Sequence, residues 1–156
     1  MSPFHIKCGE GICIMQLNIG EKKYNIKYGY MPTLKAHLIS KTAKAQAMFN
    51  KITDEDLGGL EEFLMFIPEM LLVGLQKFHS DEFGYDIETE NGKSEQLAKV
   101  FNLMDDFVDN GGDVRQLFAD LEEEMVTNGF LKKMFQEEQE KVQKQNIQPE
   151  NLVEAK

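Results

Sequence analysis

Three residues near the start of the chain, His5, Cys8 and Cys13, are of the types that ligate zinc or carry a proton. Zinc sites generally draw on four ligands, with cysteine pairs typically two to four residues apart. Here a Cys-x4-Cys spacing comes with a single nearby histidine, so no metal site is expected. His37 falls in a lysine-rich stretch and His79 at the end of an apolar run; each reads as a surface or capping residue rather than a general base. Acids gather at Asp81, Glu82, Asp86, Glu88 and Glu90, and again at Asp105, Asp106, Asp109 and Asp113. Neither group has the D-x-[DN]-x-[DN]-G-x5-E register of a calcium loop, and solvated acidic faces account for both. The chain has no G-x-x-x-x-G-K-[ST], no G-x-G-x-x-G, no H-E-x-x-H and no G-x-S-x-G. With no nucleophile–base pair in view, the chain is expected to be no enzyme and to carry neither cofactor nor metal.

The elements that would position any surface can be read from the pattern of apolar residues. Leu17 and Ile19 alternate with polar residues, Gly20-Glu21 can turn, and Tyr24, Ile26 and Tyr28 alternate again, which predicts a β-hairpin. Residues 1–14 are read as an N-terminal extension; the alternative is that Ile12 and Ile14 lengthen the first strand. Pro32 suits a first helical turn, and Leu34, Leu38, Ala45 and Met48 give a weakly apolar helix to about Asn50. Thr53 and Asp56 form a capping-box pattern before Leu57–Phe78, a segment apolar nearly all round that Pro68 is expected to kink or split. His79–Gly92 has no helical period and reads as a loop with room for a short strand. Two amphipathic helices follow. Leu97, Val100, Phe101, Met104 and Phe107 mark the first, and Val114, Leu117, Phe118, Leu121 and Met125 the second, capped by Asp113. A further helix over 130–145 has an apolar face that stops after Met134-Phe135.

The expected fold is therefore α+β: an N-terminal β-hairpin followed by a mostly α-helical bundle with a flexible C-terminal tail. One globular domain spans 15–142, and a polar tail without an apolar face spans 143–156. The 156 residues allow one such domain, held by its core without disulfides. Two cysteines fit a reducing compartment. The longest apolar stretch, Phe63–Leu75, is too short to span a bilayer, so no membrane is expected among the partners. Charge is unevenly placed: residues 1–52 carry a net +6 and residues 53–156 a net −16, for −10 in all. An acidic chain repels phosphate backbones, which argues against nucleic acid. The basic first third and acidic remainder allow pairing between copies, in a ring or filament. Nine methionines, many in or beside apolar stripes, fit ordinary core packing, with an adaptable groove as the alternative.

The opening MQLNIGEKKYNIKYG resembles the start of tail assembly chaperones from long-tailed phages of Gram-positive hosts, through Leu17, Ile19, Gly20, Lys23, Tyr24, Lys27, Tyr28 and Gly29. The stretch Leu57–Tyr85 is similar to that family's central region, and the similarity runs over roughly residues 15–140. The first 14 residues have no place in the pattern, and the helix after Met31 is more basic than expected. The resemblance implies a protein that binds the tape measure protein, keeps it soluble and helps recruit tail tube protein, working in the host cytoplasm and absent from the mature virion. It implies no catalytic residues. An exposed patch among Met65, Met70, Phe130, Met134 and Phe135 is expected to hold client helices. The alternatives are a structural or connector component of the phage, an acidic regulator that blocks a DNA-binding partner, and a small enzyme with an unrecognised site.

Overall fold

The computed structural model describes residues 4–9, 12–51, 57–127 and 131. Strands β1 (Phe4–Gly9), β2 (Ile12–Ile19) and β3 (Lys22–Ile26) form an antiparallel sheet in that order. The expected hairpin is β2–β3, closed by Gly20-Glu21 between the paired Ile19 and Lys22. Gly20 takes φ +61, the first-position conformation that a two-residue hairpin turn of this kind reserves for glycine. Residues 4–9, within the stretch read as an extension, pair along β2 from Phe4↔Leu17 to Gly9↔Ile12. The strand-lengthening alternative was correct for Ile12 and Ile14.

Six helices follow among the described residues: α1 (Tyr30–Lys35), α2 (Leu38–Lys51), α3 (Leu57–Leu75), α4 (Ser80–Phe83), α5 (Lys93–Asp109) and α6 (Val114–Thr127). Three expectations need correction. The helix after Pro32 is broken in two, because His37 takes a left-handed φ of 55° and its N–H turns back to the Leu34 carbonyl. Of the two outcomes expected at Pro68, a kink or a split, the split does not occur, since α3 runs through it. A proline inside a helix costs ~3 kcal/mol, whereas burying one large aliphatic side chain returns roughly 1.5–3 kcal/mol. Ile67, Met70, Leu71, Leu72, Val73 and Leu75 are all buried around it, so burial wins. Third, the loop after His79 opens with the single-turn α4 and has no strand among the described residues.

The amphipathic helices form where the spacing places them. Val100, Leu103 and Phe107 of α5 and Leu117, Phe118, Leu121 and Met125 of α6 are buried. Asp113 caps α6, its Oδ1 accepting from the N–H groups of Arg115 (2.9 Å) and Gln116 (3.4 Å). The C-terminal half of α3 is the centre of one core that packs α2, α5, α6 and β3 around it. Gly74 is where the sheet crosses that helix. Lys27 N–H donates to the Gly74 carbonyl at 3.0 Å, and a β-carbon there would lie 2.7 Å from Ile26 Cγ2. Phe63 of α3, Phe49 of α2 and Phe118 of α6 form a triangle of rings, with the Phe63 centroid 5.2 Å from Phe49 and 4.8 Å, edge-on, from Phe118.

No helix among the described residues is long and apolar enough to cross a membrane. The Thr53–Asp56 capping box, the expected helix over 130–145 (Leu131 apart) and the tail over 143–156 lie outside the described residues.

Candidate functional site

Cys8 is the register partner of Cys13 across β1 and β2, while His5 stands opposite Gln16. His79 Nε2 accepts the N–H of Asn25 at 2.9 Å, and its ring meets Tyr24 edge-on at 5.4 Å. It therefore closes the outer edge of β3, and although it stands at the N-terminus of α4 its side chain makes no capping hydrogen bond there. Asp86 heads a small turn, its Oδ1 accepting from the N–H groups of Glu88 and Thr89. Those hydrogen bonds, from the Thr89 side chain first and the backbone next, hold its carboxyl below the usual aspartate range. Among the described residues no group of three or more His, Cys, Asp and Glu could hold a metal ion.

One ionic cluster ties the basic and acidic parts together within the chain. Glu69 of α3 accepts from Lys41 of α2 (2.7 Å) and Lys93 of α5 (3.1 Å), and Lys93 also reaches Glu90 (3.5 Å). Burial alone pushes the Glu69 carboxyl up, but hydrogen bonds from Lys41 and Lys93 and their charges outweigh it and hold the carboxyl below its ordinary value. Lys35 pairs with Glu88 at 3.3 Å on the surface. Part of the charge complementarity seen between the first third and the remainder is thus met within one copy.

Of the five residues expected to hold a client, Met65 is exposed, at 62%. With Leu57 and Leu64 it makes an apolar stripe on the N-terminal half of α3. Met70 is a correction. It sits one turn after that stripe fades, is wholly buried in the core, and its carbonyl accepts the buried Tyr28 hydroxyl at 2.9 Å, so it offers no surface. Phe130, Met134 and Phe135 lie outside the described residues.

A concave apolar surface lies between two other helices. A solvent-open hollow of about 320 Å³ lies between α2 and α6, lined by Ile39, Thr42, Ala43 and Gln46 on one wall and Glu122, Met125 and Val126 on the other, with Leu131 at its end. A second hollow of about 290 Å³ continues it past Ile39 and Ala43 toward Thr33 and Leu34 of α1. The lining of α2 falls at i, i+3, i+4 and i+7 and that of α6 at i, i+3 and i+4, so each wall is one face of a helix. The hydroxyl oxygens of Thr33 and Thr42 and Oε2 of Glu122 are buried without a hydrogen-bond partner among the described residues. Burial pushes the Glu122 carboxyl above the usual glutamate range.

Sequence reasoning missed this trough because it followed the core stripe of α2, through Leu38 and Ala45. The signal available was the second stripe on the same helix, Ile39–Ala43–Gln46, in which one aliphatic and one small residue share a face with a polar one. Comparison with protein-family models, with curated proteins and with solved structures gave no match.

Proposed function

We propose that this chain is a tail assembly chaperone of a long-tailed phage, binding the tape measure protein in the host cytoplasm, keeping it soluble and helping to recruit tail tube subunits. The observation that carries the reading is the apolar trough along α2 and α6, built from two helix faces and left open to solvent. A protein that shields a long helical client needs uncovered apolar surface for the client and net charge for the complex. The trough supplies the first, with the exposed Leu57–Leu64–Met65 stripe of α3 as further apolar surface, and the net charge of −10 supplies the second. The resemblance of residues 15–29 to the start of such chaperones supports the same reading. The test is co-expression with the tape measure protein of the same phage. The expected result is a larger soluble fraction of that protein and its co-purification with this chain. An unchanged soluble fraction, or stable incorporation of this chain into purified particles, overturns the proposal.

A further inference from the structure

We propose that the trough between α2 and α6 seats one amphipathic helix that carries a lysine or arginine within its apolar seam, placed to meet Glu122. The inference rests on the chaperone reading for its biological setting but not for its physics.

Two neighbouring helices that each turn an i, i+3, i+4 face toward a common hollow present the two ridges between which a third helix packs. Ile39, Met125, Val126 and Leu131 supply the apolar lining, and Ala43, small and exposed, leaves room at the point where the two hollows meet. An open trough receives side chains from a helix lying along it, rather than enclosing a small molecule.

The charge selects the occupant. Glu122 holds one carboxylate oxygen away from solvent with no donor to it among the described residues, and its neighbours on α6 are Asp120, Glu123 and Glu124. Asp120 likewise keeps Oδ2 buried without a partner among the described residues, while Oδ1 accepts from Gln116 at 2.9 Å. A desolvated carboxylate beside an apolar surface gains most from an ammonium or guanidinium brought in with the partner. An acid at the same place on the client would meet like charge with little water to screen it. The orphaned Thr42 hydroxyl, on the wall opposite Glu122, adds a second polar point to the same seam.

The experiment uses the full chain and two synthetic amphipathic peptides of about 15 residues, roughly the length of a four-turn helix. They share a leucine seam and differ only in a lysine or a glutamate at one central seam position. Backbone amide shifts in NMR locate the binding, and the titrations give the affinities. The lysine peptide is expected to shift the amides of α2 and α6 and to bind about tenfold more tightly than the glutamate peptide. Glu122→Gln should remove most of that preference, and Ala43→Arg, at an exposed position, should abolish binding of both peptides while the unbound spectrum stays folded. Equal affinities, shifts confined to the Leu57–Met65 stripe, or a trough already filled by residues 132–156 of the same chain overturn the inference. If the tape measure protein is kept soluble equally well by wild type and by Ala43→Arg, this inference fails and the chaperone reading stands. If lysine-selective peptide binding is found but the tape measure protein is unaffected, the reverse holds.

Discussion

Replacing Glu69 tests the ionic cluster that joins α2, α3 and α5. The Glu69 and Lys93 side chains are about one-fifth exposed, whereas Lys41 is 41% exposed. Exposed ion pairs contribute roughly 0–1 kcal/mol, while breaking a fully buried pair by removing one partner costs about 3–5 kcal/mol. Glu69 lies between these limits. The Lys93 bond carries most of the effect, and the Lys41 bond is discounted for its exposure. Glu69→Ala should therefore cost about 2 kcal/mol, the size expected for losing one well-sheltered hydrogen bond between charged groups and part of a second. For a chain of this length that is a fall in Tm of about 8 °C near neutral pH. The dependence on pH follows from the lowered carboxyl. Its folded-state pKa lies below the unfolded value, so its stabilisation is complete above the unfolded pKa and is lost as pH falls through the folded one. Thermal melts followed by circular dichroism at about pH 7 and about pH 3.5 should show the gap between wild type and Glu69→Ala closing in acid. A gap that is the same at both values, or absent at neutral pH, refutes the reasoning.

Gly74→Ala should destabilise by about 1–2 kcal/mol, because the clash with the branched Ile26 and the Tyr28 ring outweighs the ~1 kcal/mol that alanine adds to a helix; denaturant titration checks it, and an unchanged midpoint would contradict the packing. Tyr28→Phe should cost about 1 kcal/mol by leaving the Met70 carbonyl without the hydroxyl that reaches it from 2.9 Å, read in the same titration. Asp113→Ala removes the cap of α6 and should cost about 1 kcal/mol, with hydrogen exchange accelerated first at Arg115 and Gln116.

Much of this fold was legible where local signals agree. The Gly20-Glu21 turn between alternating strands, the Asp113 cap and the stripes of α5 and α6 each state one answer in sequence and appear as read. What escaped depends on tertiary context. β1 offers only six residues, and its pairing with β2 extends a hairpin already complete at Met15. The break between α1 and α2 falls on His37, whose left-handed backbone carries no glycine to announce it. Pro68 is a helix breaker by local rule, and only the burial around it explains why α3 runs on. Glu69 is paired with residues 28 positions before it and 24 after it, a relation no local pattern contains. The candidate surface moved for a related reason. Met70 was expected at the surface because the all-round apolar character of α3 does not reveal which turns are covered, whereas the trough needs two helices to be seen side by side.

The proposed function has this chain shield a helical client through the trough on α2 and α6. Its most direct measurement is light scattering from a purified, aggregation-prone segment of the tape measure protein, mixed with an equimolar amount of the full chain or of Ala43→Arg. Wild type should suppress the scattering and the variant should not, although both remain folded. Equal scattering with and without the wild-type chain would contradict the account.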